Sequence, residues 1–350
     1  MKHWYFRLTL FTLVILAFFL TGNFDKDQKE IPQKIRRGTA IVITGAAAKI
    51  AQEAALLEEL DRKGMLKDVV FISGASSGAL NAVALNGVLS GKFSWHEYVK
   101  ILEQVTNDDV FIKNGSKVPV NTQPLRELIT KIACNKLGYA KLSDLPYTTA
   151  FSVVDLKFIP FEDRTFRICN KKINTESDSS LNIVDVLMAS TAIPLVFPAQ
   201  RISNIKTLPN DLFHDGGIAA DHVPFYAVVQ YQKYCGFDVE KMIIISRKRD
   251  SLPKLYDELQ QIGVDKLRFF DKINVSPEAL SNKGFLRRLK DLNEKYPNLA
   301  QRTYIYVPTI SEEFLMFDFN NLKKQYEITS NWAKNHDPVP LHKFLENYKE

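Results

Sequence analysis

The chain has 350 residues, of which 45% are hydrophobic and 25% are charged, a composition typical of a globular protein with a sizeable core. Its formal net charge of +6 is modest for this length and does not demand a nucleic-acid partner. Its cysteines, Cys134, Cys169 and Cys235, are far apart and form no CxxC pair, which argues against a disulfide framework or a zinc site.

Residues 1–22 are predicted to be a signal peptide or an N-terminal membrane anchor. Basic residues precede an apolar run over residues 8–20 that only two threonines interrupt, the pattern of a signal-peptide core or a short anchor. The best cleavage site, at residues 20–22, is poor, which favours an uncleaved anchor. We therefore expect membrane association through this segment, or export after its cleavage. The polar residues 23–37 are predicted to be a linker.

After residue 38 the pattern alternates between buried strands and helices. "TAIVIT" and "DVVFI" are continuous apolar runs typical of buried strands. Each precedes a helical pattern that ends at a glycine, Gly64 or Gly91. This order predicts an α/β fold with a mostly parallel central sheet and helices on both faces. Further strands are predicted at 150–156, 242–246 and 304–308, and a further helix at 181–190.

Residues 38–335 are predicted to form the main domain, followed by a C-terminal tail at 336–350. Within the domain, residues 247–300 hold 12 Lys or Arg against 8 Asp or Glu and are predicted to be a charged insertion or lid. Because charges of both signs mix there and no recognition motif occurs, nucleic-acid binding is not expected. Two basic and aromatic groups could meet an anionic membrane surface or belong to ordinary amphipathic helices: Lys266, Arg268, Phe269 and Phe270, and Phe285, Arg287 and Arg288.

The stretch "GASSG" lies between the second predicted strand and its helix. A G-x-S-x-G pattern in a strand–turn–helix context predicts a nucleophile elbow, in which a tight turn exposes the serine oxygen. The register selects Ser76, which Gly74 and Gly78 flank. Ser77 is flanked by alanines, and we expect it to begin the helix and to offer its N–H.

A serine nucleophile needs a base, and the stretch "FHDGGIAADHVPF" at 213–225 holds the best candidates. Asp215 is followed by two glycines, which suggests a tight turn that aims its side chain, although the local pattern alone favours a simple turn without function. His222 is an alternative base. We expect His214 to point away from Asp215 and to be structural.

Four blocks of the sequence resemble the patatin-like phospholipase family. "GASSG" fits the nucleophile motif of the family and "DGG" its D-G-[GA] motif, while "ASTAIPLVFPA" (189–199) is very close to the segment between them. "TGAAAK" (44–49) stands where the family has a glycine-rich oxyanion loop followed by Arg or Lys. The resemblance runs from about residue 39 to 225, with a vaguer echo at 314–335.

The resemblance implies a three-layer sandwich related to the α/β-hydrolases and a serine hydrolase that acts on carboxylic esters of lipids. Asp215 would take the proton of Ser76, and an acyl-enzyme would form and then be hydrolysed. The oxyanion hole would fall at Gly45, Ala46 and Ala47. The supporting positions would be Lys49, Gly74, Gly78, Gly216 and Gly217. The implied partners are a lipid substrate and a membrane surface, and we predict no metal, no cofactor and no partner protein.

The oxyanion loop departs from the family pattern of three successive glycines. Alanine keeps the amide donor, but a positive φ costs it roughly 1–2 kcal/mol. The loop therefore supports a second hypothesis, a catalytically weak or inactive lipid-binding or regulatory protein with the same fold. Lys49 either holds this loop or attracts a phosphate, or it is simply a solvated helix lysine.

Overall fold

The computed structural model describes residues 35–114, 117–155, 165–206, 211–218, 220–248, 252–261 and 281–347. The predicted leader at residues 1–22, most of the predicted linker, and the group from Lys266 to Phe270 lie outside these residues.

The described strands are those predicted from the apolar runs together with several short ones. They are β1 (Thr39–Ile43), β2 (Val69–Ala75), β3 (Ile112–Asn114), β4 (Lys117–Asn121), β5 (Thr149–Asp155), β6 (Thr165–Cys169), β7 (Phe213–Asp215), β8 (Lys241–Ile245), β9 (Thr303–Tyr306) and β10 (Val339–Pro340).

The helices that matter for the site follow the strands. They are α1 (Ile50–Arg62), α2 (Ser77–Leu89), α3 (Trp95–Gln104), α4 (Gln123–Ile129), α5 (Ile183–Ser190), α6 (Tyr226–Cys235), α7 (Leu252–Gln261), α8 (Asn282–Lys295), α9 (Pro297–Ala300), α10 (Leu322–Ala333) and α11 (Leu341–Asn347). A π-helical segment, Thr130–Lys136, continues α4. Gly64 and Gly91, which follow α1 and α2, have φ of +71° and +73°, as expected for glycines that end helices.

The central sheet has the order β10–β9–β8–β1–β2–β5–β6, and β7 also pairs with β5. The five strands from β9 to β5 run parallel, whereas β10, β6 and β7 pair antiparallel with their neighbours. β3 and β4 form a separate two-stranded sheet. The prediction of a mostly parallel sheet is confirmed.

The two faces of the sheet bury two separate clusters of apolar side chains. Ile41 and Ile43 of β1 face the cluster that contains α1, α2 and α5. Ala40 and Val42, on the alternate positions, face the cluster that contains α6, α8 and α11. Alternation along a strand sends successive side chains to opposite faces, so the chain builds three layers with helices on both sides of the sheet, as predicted.

The folded part of the chain continues past residue 335. Val339 and Pro340 pair with β9, and Leu341 at the start of α11 is buried against the second cluster. Residues 339–347 of the predicted C-terminal tail thus contribute an edge strand and a helix. None of the helices in the described ranges is both long and apolar enough to cross a membrane.

Candidate active site

Ser76 lies at the sharp turn between β2 and α2. Strand β2 ends at Ala75, helix α2 begins at Ser77, and Ser76 between them has φ of 57° and ψ of −133°. This conformation is strained for a residue with a side chain, and such strain concentrates at functional sites. The geometry is that expected for a nucleophile elbow.

The glycines that flank Ser76 are required by close packing. A Cβ on Gly74 would lie 2.4 Å from the Gly78 carbonyl oxygen, and a Cβ on Gly78 would lie 2.3 Å from the Thr44 carbonyl oxygen. Both distances are too short for any side chain. The positive φ belongs to Ser76 itself, and the two glycines allow three backbone segments to meet beneath it.

Strand β5 brings Asp215 to Ser76. Ala75, the last residue of β2, lies opposite Ser152 of β5, and Asp215, the last residue of β7, lies opposite Val153. On its other edge, β5 pairs with β6 over these same positions. β2 and β7 therefore lie on the same edge of β5, one after the other. Because β2 runs parallel to β5 and β7 runs antiparallel to it, the carboxyl ends of β2 and β7 face each other, which brings Ser76 and Asp215 together.

The two glycines after Asp215 fit the chain into this narrow space. A Cβ on Gly216 would lie 2.5 Å from the backbone of Ser152. The Gly217 amide donates a hydrogen bond of 2.7 Å to Asp215 Oδ1, and its Cα faces both Ala75 and Ser76. The turn therefore holds the carboxylate beside the nucleophile.

Burial gives Asp215 an unusual electrostatic environment. Its side chain is almost fully buried, and this desolvation raises the pKa of Asp215 to about 7, although interactions with the Ser76 hydroxyl and the Gly217 amide act in the opposite direction. The Ser76 hydroxyl thus interacts with the carboxylate that is expected to accept its proton. Such interactions often tighten only when substrate binds.

The loop predicted to form the oxyanion hole passes directly over Ser76. A Cβ on Gly45 would lie 2.9 Å from the Ser76 Cβ, and Gly45, Ala46 and Ala47 all border the cleft above the serine. The Ala46 amide donates a hydrogen bond of 2.7 Å to Ser77 Oγ. Within the described residues, the amides of Gly45 and Ala47 have no hydrogen-bond partner, which leaves them available to an incoming oxyanion.

The strain that was expected for an alanine in this loop falls on one residue. Ala47 has φ of 44°, whereas Ala46 has an ordinary φ of −136°. Beyond Ala47, the Ala48 amide donates a hydrogen bond of 2.7 Å to the Met316 carbonyl oxygen. The Lys49 amide donates one of 2.8 Å to the Ala46 carbonyl oxygen. The loop thus keeps a defined shape in spite of its alanines.

Lys49 ends the loop and is buried, with 2% of its surface exposed. Its interpretation as a solvated helix lysine is therefore wrong, because a lysine at this depth is desolvated. Its position at the base of the loop agrees with a role in holding it.

Two serines support the site in ways that the sequence did not reveal. Ser190, at the end of α5, accepts a hydrogen bond of 3.1 Å from the Ser76 amide and donates one of 2.8 Å to the Ser152 carbonyl oxygen. Ser77 accepts the Ala46 amide as described above. The only sequence signal for Ser190 was its place in the "ASTAIPLVFPA" block.

The two histidines of the stretch 213–225 have different surroundings. His214 lies on β7 with its Nδ1 3.1 Å from the Ala192 carbonyl oxygen, on the side of the strand away from Asp215, as expected. His222 borders the same cleft as Ser76 and Asp215, with its Nδ1 3.0 Å from the Gly217 carbonyl oxygen. His222 therefore lies at the site, where its Nδ1 contacts the turn that carries Asp215.

The far wall of the cleft comes partly from the predicted blocks and partly from later segments. These residues are mostly apolar and include Arg247: Ile193, Ile218, Arg247, Leu259, Met316 and Phe317. Met316 and Phe317 fall in the vague sequence echo at 314–335, and Leu259 belongs to α7 within the predicted insertion. Ile193 lies in the block 189–199 and Ile218 in the stretch 213–225, whereas no sequence pattern assigned Arg247 or Leu259 to the site.

The basic and aromatic group on α8 does not face outward as a unit. Phe285 is fully buried and makes an edge contact with Phe344 of α11, with ring centroids 6.3 Å apart. Arg288 is also buried and pairs with Asp291 at 3.4 Å, whereas Arg287 is exposed. Of the two alternatives, the ordinary amphipathic helix fits α8, because its apolar face packs on the sheet. Contact with a membrane is wrong for Phe285 and Arg288, which are buried.

Within the described residues, no group of three or more His, Cys, Asp or Glu side chains is arranged to hold a metal ion. The dyad chemistry expected for Ser76 and Asp215 uses only protein groups.

Comparison with known proteins gives one family. A family model described as patatin-like phospholipase matches residues 41–229, a range that contains Ser76, Asp215 and the loop between residues 45 and 49. The crystal structure of VipD from Legionella pneumophila is similar to 87% of this chain and 68% of that chain, at 12% sequence identity and a TM-score of 0.33. No curated protein matches the chain.

Proposed function

The chain belongs to the patatin-like phospholipase family, and from this membership we propose that it hydrolyses carboxylic esters of lipids through a Ser76–Asp215 dyad and an acyl-enzyme intermediate. The family supports lipid acyl hydrolysis in general. The observation that most directly supports the dyad is the register on β5, which places the strained Ser76 turn beside the buried Asp215 carboxylate.

Asp215 acts as the general base in this proposal. A carboxylate of ordinary pKa is too weak to accept a serine proton efficiently near neutral pH, and the best base has a pKa close to the working pH. Burial raises the pKa of Asp215 to about 7, which suits this role. The proton that Asp215 takes from Ser76 is then available to the leaving alcohol.

The charge that develops on the substrate carbonyl oxygen is stabilised by backbone amides. We assign the donors to Gly45 and Ala47 and exclude the Ala46 amide, because Ser77 Oγ already accepts it. The N-terminus of α2, directly after Ser76, adds the positive end of a helix dipole. Loss of a single oxyanion donor typically lowers the rate by about 10²–10³-fold, so the shape of the loop decides whether the site is active.

The test is release of fatty acid from phospholipid vesicles and from p-nitrophenyl esters by the full chain in mild detergent. We expect Ser76→Ala and Asp215→Asn each to lower kcat by at least about 10³-fold. Ser76→Ala is also expected to abolish labelling by a fluorophosphonate. The exposed residues Ser143 and Asp108 supply matched controls, Ser143→Ala and Asp108→Asn, which should retain full activity.

A folded wild-type chain that hydrolyses no ester and takes no fluorophosphonate would contradict the proposal and favour the lipid-binding or regulatory alternative. Activity that survives Asp215→Asn but is lost in His222→Ala would instead make His222 the base.

A further inference from the structure

Two buried glutamines connect helix α10 to the loop from Gly45 to Lys49. Gln325 of α10 donates a hydrogen bond of 2.9 Å from its Nε2 to the Ala48 carbonyl oxygen. Its Oε1 accepts one of 3.0 Å from Nε2 of Gln52 on α1. Both side chains are at most 1% exposed. Burial of an amide is costly unless its groups are hydrogen-bonded, and here both the nitrogen and the oxygen of Gln325 are bonded.

The backbone groups at the two ends of this chain of hydrogen bonds determine which way the two amides face. The Lys248 amide, which can only donate, donates a hydrogen bond of 2.9 Å to Gln52 Oε1, and the Ala48 carbonyl oxygen can only accept. Each glutamine must therefore accept on the side of Lys248 and donate on the side of Ala48. An apolar side chain at position 325 can do neither.

The end of the loop is held at both peptide groups that follow Ala47. The Ala48 amide donates a hydrogen bond of 2.7 Å to the Met316 carbonyl oxygen, and the Ala48 carbonyl oxygen accepts the one from Gln325. Ala47 itself has φ of 44°, a conformation that an alanine keeps only when surrounding contacts enforce it. The hydrogen bonds on either side of Ala48 are contacts of this kind.

We propose that Gln325 is a positioning residue for the reaction, which holds the loop in the shape that directs the Ala47 amide toward the oxyanion. The proposal rests on the proposed function, in which Ala47 supplies one of the two oxyanion donors. Gln325 acts through the backbone of the loop and makes no contact with the reacting atoms. Helix α10 lies beyond residues 41–229, so the family match does not account for this role.

The experiment compares ester hydrolysis by the wild-type chain and by Gln325→Met, in which an unbranched side chain of similar length lacks the donor. The oxyanion forms only in the transition state, so kcat is expected to fall roughly ten- to hundredfold while KM changes by less than about threefold.

Thr329→Val is the matched control. It removes a hydroxyl that is equally buried on the same helix and that has no hydrogen-bond partner among the residues that the structure describes. This variant should keep the kcat and KM of the wild type. An unchanged kcat in folded Gln325→Met would overturn the proposal.

A second substitution distinguishes positioning of the loop from a purely structural role of Gln325. Glycine adopts a positive φ without strain, so a loop with glycine at position 47 depends less on the hydrogen bond from Gln325. Adding Ala47→Gly to Gln325→Met is therefore expected to raise kcat at least about threefold over Gln325→Met alone. A loss of kcat that Ala47→Gly does not relieve assigns Gln325 to the stability of α10 and overturns the proposal.

Hydrogen exchange of the loop tests the proposal without turnover. In Gln325→Met, amide exchange in a peptide that covers residues 44–50 should be at least about tenfold faster than in the wild type, and in Thr329→Val it should be unchanged. If the wild-type chain hydrolyses no ester, the proposed function fails, and this measurement still decides whether Gln325 holds the loop. Equal exchange rates in wild type and folded Gln325→Met overturn that assignment.

Gln52→Met repeats these tests where Gln325→Met fails to fold. It removes the group that orients the Gln325 amide, so kcat should fall and exchange in the loop should accelerate, by smaller factors than in Gln325→Met. A folded Gln52→Met variant with the kcat and the loop exchange of the wild type overturns the proposal.

Discussion

The burial of Asp215 favours its role as a base but lowers the stability of the folded protein. A carboxylate is most stable in water, yet this one is enclosed between β7, the Gly216–Gly217 turn and Ser76, and its pKa rises to about 7 because of that burial. Raising the pKa makes the ionised form a stronger base and also makes it costly for the folded protein to hold. Both consequences are measurable.

The pH dependence of the reaction should report the ionisation of Asp215. Only the ionised carboxylate accepts the Ser76 proton, so kcat/KM is expected to rise about tenfold per pH unit below the pKa and to level off above pH 7. A neutral, soluble p-nitrophenyl ester is the suitable substrate because its own charge does not change. A midpoint near 4, the ordinary range of an aspartate, would contradict the assignment of Asp215 as a buried base.

The same residue should make the folded protein less stable as the pH rises. The folded-state pKa lies above the ordinary aspartate value of 3.8, so the folded state binds more protons than the unfolded state between about pH 4 and 7. The unfolding free energy therefore falls as the pH rises across that window. Asp215→Asn keeps the oxygen that accepts the Gly217 amide and removes the charge. It should therefore be more stable than the wild type at pH 8, by an amount of order 4 kcal/mol, with the difference vanishing near pH 4.

Urea denaturation of both proteins at the two pH values checks this expectation, and Asp108→Asn serves as the exposed control. Equal stability of Asp215→Asn and the wild type at pH 8 would show that the carboxylate is not desolvated.

The residues that carry the chemistry were more visible in the sequence than those that support them. Ser76 and Asp215 each belong to a short local motif, and the family resemblance joined the two. Ser190 and the acceptor role of Ser77 depend on hydrogen bonds that span 114 and 31 residues, and such contacts leave no periodicity in the sequence. The burial of Lys49 was invisible for the same reason, since a lysine next to a helix start is ordinarily solvated.

At the scale of elements, the loop from Gly45 to Lys49 adopts a backbone conformation that its sequence does not favour, because Ala47 has a positive φ. Its shape is fixed by contacts with other segments, which include the turn of Ser76 and Ser77, whose Ser77 hydroxyl accepts the Ala46 amide, and the Met316 carbonyl oxygen. Those contacts hold Ala47 in a conformation that glycine would adopt without strain. The loop is therefore ordered by tertiary contacts and not by its own sequence.

Glycine at the two alanine positions is expected to have opposite effects. Ala47→Gly relieves a strain of about 1–2 kcal/mol and loses part of that gain to the entropy of glycine, so stability should stay equal or rise by up to about 1 kcal/mol. Ala46→Gly has no strain to relieve and should lower stability by about 0.5–1 kcal/mol. Thermal unfolding of the two variants, with ester hydrolysis measured beside it, makes the comparison. A stabilising Ala46→Gly with a destabilising Ala47→Gly would refute the backbone assignment.

The elements themselves were largely predictable because parallel strands buried on both faces consist of continuous apolar runs. β1, β2, β5, β8 and β9 all carry such runs, and the α1 and α2 helices end at glycines. β7 has three residues, Phe213, His214 and Asp215, of which two are polar. Nothing in that tripeptide indicates a strand, since it exists only because β5 leaves an unpaired edge beyond the end of β2.

At the scale of the whole molecule, the site is assembled around β5 from segments spread over much of the chain. Ser152 is the common contact, because its carbonyl oxygen accepts from Ser190 and its backbone packs against Gly216. Its hydroxyl donates to Asp221 Oδ2, and Arg167 of β6 donates to Asp221 Oδ1 at 2.6 Å. This buried pair joins the sheet edge to the segment that follows the Asp215 turn, so we expect it to keep the two halves of the dyad in register.

The pair of Arg167 and Asp221 should couple stability to the geometry of the dyad. Asp221 is fully buried and the Arg167 side chain is 13% exposed. Removal of one partner leaves a buried charge uncompensated, so Arg167→Met and Asp221→Leu should each lower the unfolding free energy by about 3–5 kcal/mol. The double variant should lose much less than the sum, because it leaves neither charge behind. Urea denaturation of the four proteins gives the coupling energy, and additive losses would show that the two charges act independently.

In the double variant, which should fold, kcat is expected to fall with little change in KM, because Ser152 loses the partner that fixes it beneath Ser76 and Asp215 while the apolar walls of the cleft remain.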